Sequence, residues 1–105
     1  MAIRANEVAV QGWNEPDEAY VVMKDALMAI GRVTDQDQRE RLLLGTARYG
    51  VHRVHVEVSV TQLGQGSEVR IRAQGDTLLG RGRAAKSVAR RLVELAESGI
   101  PQTWR

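Results

Sequence analysis

The sequence predicts an α+β fold, in which an antiparallel sheet of about four strands carries two helices on one face, in the order β-α-β-β-β(-β)-α. Two observations predict it. Two segments repeat apolar residues at spacings of three and four, which is typical of an amphipathic helix. The remaining segments alternate apolar and polar residues, as strands with one buried face do. We expect residues 1–105 to form a single domain, with 100–105 a loose C-terminal tail.

Composition excludes several classes of protein. Hydrophobic residues make up 43% of the chain and charged residues 27%, which is ordinary for a soluble protein. The absence of cysteine excludes disulfides, thiolate metal sites and a cysteine nucleophile. No apolar run approaches the ~20 residues that cross a bilayer, and the first ten residues lack the layout of a signal peptide. We therefore expect a soluble, cytoplasmic protein without a membrane partner.

Residues 6–12 alternate well enough to form the first strand, and a helix follows. Pro16 suits the first helical turn, and Asp17 and Glu18 lie where the helix dipole favours negative charge. Gly31 is placed to end the helix in a left-handed conformation. The apolar stripe of this helix consists of Ala19, Val22, Met23, Ala26, Leu27 and Ile30.

Three strands are predicted next, over residues 39–48, 51–63 and 68–74, and a fourth if residues 32–35 also pair. Turns at Tyr49-Gly50 and Gly64-Gln65-Gly66 would make them a meander. The inward residues of the second and third of these strands are Val54, Val56, Val58, Val60, Val69, Ile71 and Ala73.

A two-residue turn after Leu63 fixes the register of the second hairpin. It sets Leu63 opposite Gly66, so that Val58 faces Ile71 and the two apolar faces coincide. The first hairpin stays open, because residues 42–44 are three leucines and alternation does not select which of them points inward.

The last helix is predicted over residues 83–98, with Gly99 and Pro101 as its stop signals. Its apolar stripe consists of Ala85, Val88, Ala89, Leu92, Leu95 and Ala96. The complete element order resembles the TATA-binding-protein-like fold, β-α-β(4)-α, and many small bacterial domains of unknown function. This resemblance covers nearly the whole chain, but it rests on element order and implies a fold without an activity.

Residues 80–87, GRGRAAKS, differ by one residue from the phosphate-binding loop G-x-x-x-x-G-K-[ST]. Ala85 stands where that loop needs the glycine before Lys86. The loop also belongs to a parallel sheet, whereas this sequence predicts an antiparallel one. We interpret the segment as an ordinary helix start.

The charge pattern of the last helix opposes its dipole, which favours acids near the N-terminus. Bases crowd its first half, and Glu94 and Glu97 lie in the second. One interpretation is an anion site on the helix N-terminus; the other is a solvated face that serves solubility. The bases in question are Arg81, Arg83, Lys86, Arg90 and Arg91.

The polar face of the sheet is the second candidate surface. Its bases could contact phosphates weakly and without specificity, but no predicted aromatic lies there to stack on a nucleic-acid base. The rival interpretation is protein association, with two sheets pairing as a homodimer or an edge strand joining a partner's sheet. The residues of the candidate anion or partner surface are Arg53, His55, Arg70, Arg72, Arg81, Arg83, Lys86 and Arg90.

Catalytic and metal sites are not indicated. His52 and His55 point to opposite faces of one strand, so they cannot share a metal. Ser59 would lie ~13 Å from His55, beyond the reach of a hydrogen bond. Asp35 and Asp37 belong to a short acidic cluster without the glycine of a calcium loop. We expect a non-catalytic binding or interaction module, with no cofactor and no metal.

Overall fold

The computed structural model describes residues 6–12, 15–50, 52–75 and 86–96. Five strands and two helices lie in these ranges, and we number each in chain order. The elements are β1 (Asn6–Gly12), α1 (Pro16–Ile30), β2 (Gly31–Asp37), β3 (Leu42–Tyr49), β4 (His52–Leu63), β5 (Gly66–Gly75) and α2 (86–96).

The strands form one sheet in the order β1-β5-β4-β3-β2, and every neighbouring pair is antiparallel. The predicted α+β class is therefore confirmed. The sheet has five strands rather than about four, because the optional strand at residues 32–35 does pair and forms β2. Since all the described strands pair antiparallel, the parallel sheet that a phosphate-binding loop requires is not found among them.

The predicted register of the β4–β5 hairpin is confirmed. Leu63 pairs with Gly66 and Val58 with Ile71, across a turn in which Gly64 has φ +60. The ambiguity at residues 42–44 is settled by β3 pairing with β4. Leu43 faces Val58 and is fully buried, so its two leucine neighbours point to the opposite side of the sheet.

Helix α1 spans Pro16–Ile30, as the start and stop signals predict. The predicted left-handed cap at Gly31 is wrong. Gly31 has φ −169 and is extended, so the chain passes from α1 directly into β2. Glycine is needed here because β3 lies close: a Cβ on Gly31 would overlap the backbone oxygen of Thr46 and lie 2.8 Å from the Cα of Ala47.

The strand predicted to begin at residue 39 begins at Leu42 instead. Residues 38–41 form a turn, which the Asp37 carboxylate stabilises by accepting a hydrogen bond from the Glu40 N–H at 3.1 Å. Arg41 ends this turn with φ 54, and its N–H donates to the Gln38 carbonyl. The acidic cluster thus shapes the connection between β2 and β3.

Both helices contribute to one hydrophobic cluster on the same side of the sheet, which we call the inner face. The opposite side is the outer face. Tyr20 is buried as well, although it lies outside the predicted stripe of α1. The buried residues of α1 and α2 in the cluster are Ala19, Tyr20, Val22, Met23, Ala26, Leu27, Val88, Ala89, Leu92 and Ala96.

Some expectations concern residues that the structure does not describe. They concern residues 80–85 of the segment that resembles the phosphate-binding loop, the two ends of the last helix, and the C-terminal tail. None of the helices in the described ranges is long and apolar enough to cross a membrane.

Candidate functional site

The structure separates the predicted surface residues into two groups. Four are exposed on the outer face: Arg53, His55, Arg70 and Arg72. Lys86 and Arg90 are exposed on α2, whose buried side packs on the inner face. These two groups therefore do not form one continuous patch. Arg81 and Arg83 lie outside the described residues.

Arg70 is compensated by two acidic neighbours on the outer face. Its Nε donates a hydrogen bond to Glu68 Oε1 at 3.1 Å, and its Nη1 lies 3.9 Å from Glu7 Oε2. The hydrogen bond with Glu68, and then the charges of Glu68 and Glu7, raise the pKa of the Arg70 guanidinium above its ordinary value. Arg70 is thus a poor candidate for binding an external anion.

Arg72 has a looser partner. Its Nη1 lies 3.9 Å from Glu57 Oε1, which is close enough for an ion pair but too far for a hydrogen bond. Both residues line a groove of about 320 Å³ on the outer face, which lies over β3, β4 and β5. A groove of this volume is at the lower end of the range for small-molecule sites.

Register explains which side chains meet in the groove. Strands in a sheet are ~4.8 Å apart, and residues i and i+2 of one strand are ~6.6 Å apart. Two rows of three outer-face residues therefore cover an area of roughly 10 by 7 Å. The rows are Thr46, His55 and Gln74, and, beside it, Leu44, Glu57 and Arg72.

The edge of the groove comes from an irregularity in β2. The pairing of β2 with β3 shifts between Val33 and Asp35, which leaves Thr34 as an extra residue. The Thr34 hydroxyl donates to the Leu44 carbonyl at 3.2 Å and lines the groove. The sequence does not indicate the groove, because it predicts neither this bulge nor the β3–β4 register.

The two edges of the sheet differ. Edge strand β2 is bulged, exposed along nearly all its length, and carries Asp35 and Asp37, features that discourage pairing with another sheet. Edge strand β1 pairs with β5 without a shift over all seven of its residues, and Glu7 is its one charged residue. Among the described residues β1 pairs with β5 alone, and no described strand lies on its other side.

The fold has counterparts among solved structures. DynU16, a putative protein in the dynemicin biosynthetic locus, matches 95% of this chain with a TM-score of 0.67 and 13% identity. This chain spans about half of DynU16, 48% of its length. CalU16 from Micromonospora echinospora has a TM-score of 0.56 and 12% identity, covering 98% of this chain and 90% of its own.

Ara h 8.0201 is a third similar structure, with a TM-score of 0.53, 10% identity, and coverage of 96% of this chain and 99% of its own. At these identities the similarity establishes the fold alone. No protein-family model and no curated protein matches the sequence. The resemblance to the TATA-binding-protein-like fold therefore stays a prediction.

Proposed function

We propose that this protein is a non-catalytic interaction module that associates with a second copy of itself through the open edge of β1. The observation that carries the proposal is the contrast between the two sheet edges. One edge strand is bulged and carries three charged residues, whereas the other pairs regularly and carries one. An unprotected edge presents N–H and C=O groups that a further strand can pair with.

The sequence of β1 is compatible with its own copy. A two-fold axis through Ala9 would place Ala9 opposite the partner's Ala9 and Val8 opposite the partner's Val10. Val8 and Val10 are half-buried, and Val8 packs against the core cluster on the inner face, so this register keeps apolar residues together. Such an isologous contact forms a closed dimer with both helical layers on the same side.

The register gives a direct test at Ala9, which is exposed. Ala9→Lys places two lysines opposite each other at the axis, and Ala9→Glu places two glutamates there. Like charges directly opposite destabilise strand pairing. We expect wild-type mass to rise with concentration in sedimentation or light scattering, and each variant alone to remain monomeric at the same concentrations.

Mixing the two variants supplies the sharper result. Lysine opposite glutamate is a favourable cross-strand pair, so the mixture should associate where neither variant does. Gln36→Lys and Gln36→Glu, on the exposed opposite edge, are the matched controls and should leave association unchanged. A wild-type mass of one chain at all concentrations, or association that ignores both Ala9 variants, would contradict the proposal.

The second candidate is weak anion or nucleic-acid binding by the basic helix. Lys86, Arg90 and Arg91 are all exposed in the first half of the described part of α2. The bases of the outer face support this candidate less, since Arg70 and Arg72 face acidic partners. Binding to heparin that weakens steeply with salt, and weakens further in Arg90→Gln, would favour this candidate over self-association.

A further inference from the structure

We infer that the exposed side of α1 is a docking surface for the basic helix α2 of a second copy of this chain. This contact goes beyond the proposed pairing at the β1 edge, because it uses the helical layer and leaves the sheet edge free. Three observations support it: apolar residues exposed on α1, acidic residues around them, and an excess of basic residues on the exposed side of α2.

The apolar residues form a pair on the solvent side of α1. Among the described residues three large apolar side chains are exposed, and two of them are Val21 (50%) and Met28 (57%). They are seven residues apart, so two helical turns bring them to the same side of α1. The core leaves about half of each residue in water, so a partner that covers this apolar pair gains hydrophobic burial.

Acidic residues flank the apolar pair. Glu18 precedes Val21 by three positions, and Asp25 follows Val21 by four, so both carboxylates lie on the neighbouring helix surface. Glu18 and Asp25 are both exposed. Helices that bind membrane surfaces carry lysine and arginine on the polar face, which anionic lipids attract. The acidic flanks of the α1 surface therefore indicate a basic partner and argue against a membrane.

Helix α2 has the complementary chemistry. Its described part contains three basic residues and one acidic residue, whereas α1 contains three acidic residues and one basic residue. Lys86 and Arg90 are both exposed and are four residues apart, so they lie on one side of α2. Such side chains have apolar stems that cover hydrophobic surface while their charged ends reach polar groups. The stems would cover the apolar pair of α1, and the charged ends would meet its carboxylates.

Symmetry allows two copies to make this contact twice. Both helices pack on the inner face, so their exposed sides belong to one layer that points away from the sheet. A two-fold axis between the two helices would place each α1 on the α2 of the other copy. Helix α1 has 15 residues and is about 22 Å long, so each contact is small. We expect an association weaker than that of the β1 edge, and one that salt screens.

Exchanging charges between the two helices tests the contact. Asp25→Lys places a positive charge against the basic helix, and Arg90→Glu places a negative charge against the acidic one. We expect each variant alone to weaken self-association at least about fivefold. A one-to-one mixture of the two variants, or the double variant Asp25→Lys/Arg90→Glu, pairs opposite charges again and should recover the wild-type dissociation constant within about twofold. Asp35→Lys, the same change on the β2 edge, is the matched control and should have no effect.

Sedimentation of these variants in the Ala9→Lys background separates the helix contact from the β1 edge. We expect the mass in this background to rise at higher protein concentrations and to fall in high salt. Met28→Ser should weaken this association, because apolar burial is lost. A single-chain mass at all concentrations, or no recovery in both the mixture and the double variant, would overturn the inference and leave the Ala9 results standing. Binding of a lysine-rich peptide by a chain that stays monomeric would assign the surface to another protein and would also overturn it.

Discussion

Arg41 Nε donates a hydrogen bond to Asp17 Oδ1 at 2.8 Å, which ties the turn between β2 and β3 to the first turn of α1. The two residues are 24 positions apart in the chain. Arg41 also accepts a hydrogen bond from the Val60 N–H at 3.0 Å and holds φ 54, in the left-handed region. One residue thus joins a helix, a turn and β4, at some cost in backbone strain.

Substitutions at Arg41 should separate its ion pair from its backbone strain. The pair is partly exposed, so we expect Arg41→Ala to lower the free energy of unfolding by less than about 1 kcal/mol. Arg41→Gly loses the same pair but relieves the left-handed strain, and should be more stable than Arg41→Ala by about 1 kcal/mol. Urea denaturation of both variants measures the difference; equal stabilities would show that the strain is negligible.

Val58 lies at the centre of the core, fully buried between Leu43 and Ile71 on the neighbouring strands. Val58→Ala should lower the free energy of unfolding by about 1–3 kcal/mol, through lost burial and the cavity left behind. Val21→Ala is the matched control and should not lower the free energy of unfolding, because Val21 is 50% exposed on α1 and alanine favours helix. A Val58→Ala melting curve like that of the wild type would contradict the assignment of the inner face.

Tyr20 is 4% exposed, and its hydroxyl has no hydrogen-bond partner among the described residues. An unpaired buried hydroxyl carries the cost of its lost hydration. Tyr20→Phe removes this group with little change in shape, so we expect it to stabilise the fold by about 1 kcal/mol at neutral pH. A destabilised Tyr20→Phe protein in thermal melting would indicate that the hydroxyl is hydrogen-bonded in solution.

Tyr20 should also make stability sensitive to alkaline pH. Burial, and secondly the charge of Asp37, raise the pKa of the Tyr20 hydroxyl above its ordinary value of 10.0. The folded state therefore holds this proton more tightly than the unfolded chain. That contribution is fully present below the unfolded pKa and is lost as pH rises through the folded pKa. Denaturation series above and below about pH 10 should show a steeper alkaline loss in wild type than in Tyr20→Phe.

Gly31 should tolerate no side chain. A Cβ at this position would overlap the Thr46 carbonyl oxygen, and that oxygen belongs to the backbone of a paired strand. Gly31→Ala must push β3 away from β2, which we expect to lower the free energy of unfolding by several kcal/mol, the range of severe single substitutions. Arg32→Ala, at the next and exposed position, is the control and should change stability by under about 0.5 kcal/mol.

The predictions that were confirmed concern features set by residues that lie close together in the chain. The bounds of α1 follow from Pro16 at its start and from its apolar stripe, which need no knowledge of distant residues. The β4–β5 register follows from a short turn and from the alternation of both strands, because a slip of one residue would expose the whole apolar face.

The errors arose where a distant segment decides the local structure. Gly31 is a glycine because β3 approaches it, and the turn before Leu42 is held in part by Asp17 on α1. Tyr20 is buried beside the predicted stripe because the core is wider than α1 alone suggests. The groove needed the relative register of three strands and the bulge at Thr34, of which the sequence predicted only the β4–β5 pairing.

Strand β1 is the first strand of the chain but pairs with the last one, β5, and this has a consequence for the order of folding. Each of the strands β2 to β5 pairs with its neighbour in the chain across a short connection, whereas β1 must find β5 after α1 and the whole meander. The entropy cost of closing a loop rises with its length, by about 0.6 kcal/mol for each doubling. We therefore expect the meander to form first and β1 to add last, so that β1 amides exchange with solvent deuterium sooner than those of β4. Until β1 adds, β5 is itself an open edge, and the folding chain briefly exposes the pairing groups of Val69 and Ile71 that the native sheet covers.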